Sequence, residues 1–459
     1  MLNKFFGTKE FYRRLIFLTL PIMIQNGITN FVNMLDNIMI GQIGTLEMTG
    51  VAVSNQLICV FNLCVFGALS GAGIFGAQFY GKGDTKGFRD TFRFKMIFCI
   101  GITLLCIGIF IFFGDELISI YLKGDGSTKD AAMSLSFAKQ YLFIMLTGTI
   151  PYTIAQCYAS TLREKGQTVV PMVAGIAAVA VNMSLNYVLI FGKLGAPKLG
   201  VVGAALATVI SRFAELLVVT VWTHTHKKEN EFIIGAYKSF KIPKRLCGQI
   251  LIKGLPLMLN ETGWAAGIAV VNQCYSVKGL NVVAAINIST TFFNVFSVSF
   301  LAVGMSIGIL IGQQLGSGDT QKVRDTARHC ITFSVLVSLL IGIIYAALSG
   351  IIPYLYKTDL SVKMLASSFM FISAVTMPIE AFVNSCYFTI RSGGKTFITI
   401  LFDSIFVWCV SVLSAFILCN YTSLPIITIY LISQLLNTIK GFVGFIFIKK
   451  GIWIKNIVS

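Results

Sequence analysis

The chain has 459 residues, of which 56% are hydrophobic and only 12% charged, and its mean hydropathy is +0.81. A soluble domain carries about a quarter charged residues, so this composition excludes a water-soluble particle and implies a polytopic membrane protein. The formal charge of +17 would suit a nucleic-acid partner, but most Lys and Arg fall in alternate loops, which is a topology signal and places both termini and a central linker in the cytoplasm.

Taken in order, the apolar stretches read as twelve spans of about 20 residues, the length a bilayer core requires. They centre near Ile28, Val65, Gly101, Leu146, Val179 and Ala214, then near Gly267, Val298, Ile341, Ala374, Trp408 and Val443. No cleavage site follows Met1-Leu2-Asn3-Lys4, so a removable signal peptide is not expected. The eleven cysteines show no CxxC spacing, and His224, His226 and His329 form no ligand motif, so neither a disulfide framework nor a metal cluster is expected.

Spans one and two recur as spans seven and eight. Leu20-Pro21 answers to Leu255-Pro256, Gln78…Gly81-Lys82-Gly83-Asp84-Thr85 to Gln313…Gly316-Ser317-Gly318-Asp319-Thr320, and Arg93 to Arg328. The offset is a constant 235 residues (256 − 21, 313 − 78, 328 − 93). Two Arg-x-x-Gly-x-Thr turns, from Arg163 and from Arg391, follow spans four and ten. Both halves therefore run from inside to inside, as parallel repeats about an axis along the membrane normal. The domains are 1–222, a linker at 223–246 with a short amphipathic surface helix (Lys241 to Lys253), and 247–459. Pro21, Pro151, Pro171, Pro256 and Pro378 lie in spans, where a bundle tolerates the kink they impose.

Three carboxylates accept the cost of membrane depth, about 2.5–3.5 kcal/mol on insertion scales: Asp36, Glu261 and Glu380. The last lies eleven residues before Arg391, roughly 16 Å along a helix. None is repeated in the other half, so the duplicated scaffold carries an unduplicated site. Lys253, Arg212 and Lys440 read as too near segment ends to neutralise these acids. Asn26, Asn30, Asn33 and Asn37 form a strip beside Asp36, and Asn182 and Asn186 share one face of span five. Such amides either join helices or line a hydrated cavity. Asp403 reads as a cavity residue or a partner of Lys395. Buried acids among amides can bind a hard cation, take up a proton, or attract an organic cation. An anionic lipid-linked substrate calls instead for Arg and Lys in the cavity, which this sequence is expected to lack.

Asp36-Asn37-Ile38-Met39-Ile40-Gly41-Gln42-Ile43-Gly44, the Gln78-to-Asp84 end of span two, Asn182 to Leu189, Gly200 to Thr208 and the two arginine turns resemble the multidrug and toxic compound extrusion (MATE) family over essentially the whole chain. The resemblance implies an all-α membrane protein with twelve transmembrane helices in two homologous six-helix lobes around a central cleft. It implies alternating-access export of amphipathic organic cations against Na⁺ or H⁺, without a cofactor, by a monomer in the cell membrane. By spacing, Asp36 matches the family's acid in helix one and Glu380 its acid in helix ten. Glu261 stands five residues after Pro256 where members often have eight, and Asn186 occupies a position often held by a second Asp. The expected coupling residues are Asp36, Glu261 and Glu380, with Na⁺ at Glu261 and Glu380. Asn33, Asn37, Gln156, Asn182, Asn186, Thr208 and Asp403 are expected to line the cavity. The alternatives are a lipid-linked saccharide flippase of the same superfold and, from another class, a membrane-embedded enzyme.

Overall fold

Each apolar stretch forms one helix in the computed structural model, which describes residues 5–122 and 128–458 without the side chains of Asn33, Met34, Asn37, Tyr121, Leu122, Thr128 and Lys129. The helices are α1 (Lys9–Gly41), α2 (Thr45–Lys82), α3 (Thr85–Leu122), α4 (Thr128–Lys165), α5 (Val169–Phe191) and α6 (Val201–Thr225). After the linker come α7 (Lys244–Ser276), α8 (Leu280–Ser317), α9 (Thr320–Leu348), α10 (Leu360–Ser392), α11 (Thr396–Tyr421) and α12 (Ile426–Lys450). Among the described residues, eleven of them are long and apolar enough to cross a membrane. The remaining one, α7, carries Asn260-Glu261-Thr262 near its middle and Lys244, Arg245 and Lys253 in its first turns. The surface helix expected at Lys241–Lys253 is not separate: α7 runs unbroken from Lys244 through Pro256. Large apolar side chains such as Leu105, Phe112 and Leu340 are exposed, as suits helices solvated by lipid rather than water.

The chain divides into two compact units. One holds Met1–Met23, Ala77–Asp84 and Gln249–Ser459. Its core sets Leu15, Leu18 and Ile22 of α1 against Ala302, Val303 and Ile307 of α8 and Val323 and Ala327 of α9. Helix α10 is its hub, packed on α8, α9 and α12. Here the repeated motif explains itself. A Cβ on Gly81 would lie 1.8 Å from the Gln313 carbonyl oxygen, and one on Gly316 would lie 1.9 Å from that of Gln78. The two copies cross each other at equivalent positions, so both need a residue without a side chain. Two residues on, Gly83 (φ +77°) and Gly318 (φ +84°) turn the chain in the left-handed region that glycine enters without strain. Asp319 then caps α9, accepting the Lys322 N–H at 3.1 Å.

The other unit holds Ile24–Gly76 and Thr85–Gly248. Helix α4 packs on α3, α5 and α6, and α5 on α6. A buried ion pair joins α3 to α4, with Lys95 Nζ 2.5 Å from Glu164 Oε1. The linker is folded onto this unit. Phe232, Ile233 and Ala236 are buried, and Phe232 meets Phe88 and Phe92 edge-on. Arg93 donates to the carbonyls of Ala236 (2.8 Å) and Gly235 (2.7 Å), and Arg89 to those of Phe232 and Glu231 (both 3.2 Å). The arginine turns close alike in both units: Gly166 N–H donates to Arg163 at 2.8 Å, and Gly394 N–H to Arg391 at 2.9 Å.

Candidate functional site

In the unit containing α3 to α6, Asp36 is embedded in amides. Asn186 Nδ2 donates to its Oδ1 at 2.7 Å. Swapping the Asn182 amide atoms, as its neighbours favour, puts that nitrogen 3.2 and 3.1 Å from the two Asp36 oxygens and lets its oxygen accept from the Thr208 hydroxyl at 3.1 Å. Asn182 and Asn186 lie four residues apart on α5, so a single helical face presents both. Asp36 forms no ion pair among the described residues. The side chains of Asn33 and Asn37, expected beside it, lie outside the described residues.

Gln156 joins a different group. Its Nε2 donates to Glu215 Oε1 at 3.0 Å, and Glu215 also meets Arg212 at 3.4 Å. The Arg212 guanidinium lies 4.6 Å above the Tyr152 ring. Tyr152, Arg212 and Thr208 line a small pocket with Phe61, Asn62 and Met145. Glu215, buried in α6, was not read as a site residue. The Arg212-x-x-Glu215 spacing of an i, i+3 pair was the available signal.

The second cluster belongs to the other unit and departs further from expectation. Glu261 is not free of bases: Arg391 Nη1 lies 3.6 Å from its Oε1, and the Tyr387 hydroxyl donates to the same oxygen at 2.9 Å. Asn260 links Tyr387 (3.2 Å) to Asp403 Oδ2 (3.0 Å). Asp403 pairs with Lys440 rather than Lys395. Glu380 accepts a hydrogen bond from the Asn437 amide. Lys440, read as a segment-end residue, is buried. So the spans do carry cations at depth, and two of the acids are matched by them. Among the described residues no three His, Cys, Asp or Glu side chains gather to hold a metal ion.

Asp403 lies in an unusually wound helix. Helix α11 winds as a π-helix over Leu401–Ile405 and Val407–Val412, a form that is rare and concentrates at functional sites. This stretch is fastened to α7, with the Ser404 hydroxyl donating to the Asn260 carbonyl at 2.6 Å and Trp408 Nε1 to that of Gly263 at 2.9 Å. Asp403 lies within this stretch, beside the residues that fasten it to α7.

A bundle of apolar helices with acids held at depth by amides and matched bases defines a polytopic membrane protein of the transporter class. The MatE family profile matches residues 21–188 and 262–417, and the chain belongs to that family. It is 26% identical over 426 residues, 91% of this chain and 88% of the other, to a probable multidrug resistance protein NorM of Thermotoga maritima. The fold is similar to that of a multidrug resistance MATE family transporter of the MOP superfamily in an outward-facing conformation, with TM-score 0.85, 18% identity and 95% of each chain covered. It is also similar to that of a mutant of the Vibrio cholerae MATE transporter VcmN, with TM-score 0.86, 16% identity and 97% and 98% of the two chains covered.

Proposed function

We propose that this protein is a secondary antiporter that exports amphipathic organic cations across the cell membrane against entry of H⁺ or Na⁺. The observation that carries the reading is Asp36: an acid in a spanning helix, held by the amides of Asn182 and Asn186 and in no ion pair among the described residues, with Arg212 acting on it only through space. Such a group neutralises its charge by taking a proton, an alkali ion or a passing organic cation. Because these compete for one negative charge, loading one releases another, and a two-state scaffold turns that competition into exchange. The multidrug resistance names of the relatives support the cargo class.

Glu380, held by Asn437, offers a second such charge. Glu261 is assigned to the same cluster with Arg391 as its standing counter-ion. We also propose two lobes, 1–222 and 247–459, joined by the linker at 223–246, with both termini cytoplasmic; Met1–Met23 and Ala77–Asp84 of the first lobe belong to the compact unit formed by the second. A lipid-linked saccharide flippase finds support in the buried Arg391 and Lys440, yet each faces an acid, which leaves little positive charge for a diphosphate.

The deciding measurement is efflux of ethidium from everted vesicles, with pH and Na⁺ gradients imposed separately. Wild type is expected to respond to at least one gradient and Asp36→Asn to neither. Asp36→Asn matching the wild-type rate under both gradients would remove Asp36 from the coupling.

A further inference from the structure

The exchange proposed above makes no use of Lys440, although an ammonium at this depth is costly. It projects from α12 and is 7% exposed. Its Nζ bonds Asp403 Oδ1, lies 5.3 Å from the Phe402 ring centre and acts electrostatically on Glu380. All four paired side chains are largely buried, those of Asp403 and Glu261 being 15% and 16% exposed and those of Lys440 and Arg391 8% and 10%. With all three acids ionised, two cations, Arg391 and Lys440, face Glu261, Glu380 and Asp403 among the described residues, and one negative charge is left over.

We propose that Lys440 sets the valence of the cargo: with it in place this cluster accepts a monovalent organic cation, and without it a divalent one. The proposal rests on the exporter reading. In a poorly solvated cluster, charge left unmatched after binding is strongly disfavoured, so the residual charge of the site selects the charge of its guest. Lys440 thereby acts as a specificity residue through Asp403.

The test is binding of tetraphenylphosphonium, a monocation, and methyl viologen, a dication, to the purified full-length protein. Wild type is expected to prefer the monocation. Lys440→Gln should move the ratio of the two Kd values toward the dication by about tenfold or more. Lys440→Arg should leave the ratio unchanged, and Lys440→Gln/Asp403→Asn should restore it. Asp403→Asn alone shifts the cluster the other way and should weaken the monocation by about tenfold, which carries the test if the unpaired acid keeps Lys440→Gln from folding. A wild-type ratio in Lys440→Gln, a double variant that keeps the altered ratio, or wild-type monocation affinity in Asp403→Asn would each overturn the proposal. Absence of ethidium efflux by wild type would remove the exporter reading itself, whereas efflux together with an unmoved binding ratio would remove this inference alone.

Discussion

Gly81 and Gln313 touch so closely that no side chain fits between them: a methyl group on the glycine would lie 1.8 Å from the Gln313 carbonyl oxygen. The reverse contact, Gly316 on Gln78, is its image under the 235-residue offset. Gly81→Ala and Gly316→Ala must therefore push backbone against backbone, at a cost of about 2–4 kcal/mol each. Gly308→Ala, where the new methyl meets Phe388 at 3.6 Å, should be neutral or stabilising by up to about 1 kcal/mol. Melting temperatures in detergent separate the two outcomes, and equal stability of Gly81→Ala and Gly308→Ala would refute the crossing.

Lys95 and Glu164 present a test of buried charge. The pair sits at 2.5 Å between α3 and α4, with Gly76 so near that a Cβ there would lie 2.0 Å from Glu164 Oε2. Lys95→Met leaves a buried acid without its base and should destabilise by about 3–5 kcal/mol. Lys95→Met/Glu164→Gln should recover most of that loss, since replacing both partners is often close to neutral. A double variant no better than the single one would mean the pair is not the cause.

Asn186 is predicted to support Asp36 without replacing it. Asn186→Ala removes a charge-assisted hydrogen bond and should lower cation efflux by about tenfold, less than Asp36→Asn. In the Asp36→Asn background the further substitution should change little, because the charge it served is gone. Additive losses in this double-mutant cycle would show that the two residues act independently.

The linker offers a readout outside the membrane. Phe232→Ala empties a buried site against Phe88 and Phe92 and should loosen the segment by about 3–5 kcal/mol. Amide hydrogen exchange across Phe232–Lys238 is then expected to quicken strongly, while α8 to α10 stay protected. Unchanged exchange would contradict a docked linker.

The scaffold was legible because its signals are local or repeated: apolar length marks the helices, and the Gln-x-x-Gly repeat marks the duplication, although not that its two copies cross. Asp36 with Asn182 and Asn186 was legible in part, since a four-residue spacing places both amides on one face. The pairings of Glu261 with Arg391 and Asp403 with Lys440 were not. They join residues far apart in sequence, and depth along a helix says nothing about which neighbour a side chain faces. The π-winding of α11 shifts its register and escapes any count at 3.6 residues per turn. Helix α7 was misread at its start because a basic amphipathic stretch looks the same whether it lies on a membrane or begins a helix that enters one.

On the proposed topology, Arg89 and Arg93 are employed twice in the life of the chain. While the nascent polypeptide is being threaded, only their sign counts, and the bilayer tallies them as positive charge to be retained. Once the helices are assembled, their planar forks become directional donors that grip the carbonyls of Glu231 to Ala236. A lysine would satisfy the first duty and fail the second, so orientation and anchoring, seemingly one property of a basic loop, are separable by a substitution that leaves net charge untouched.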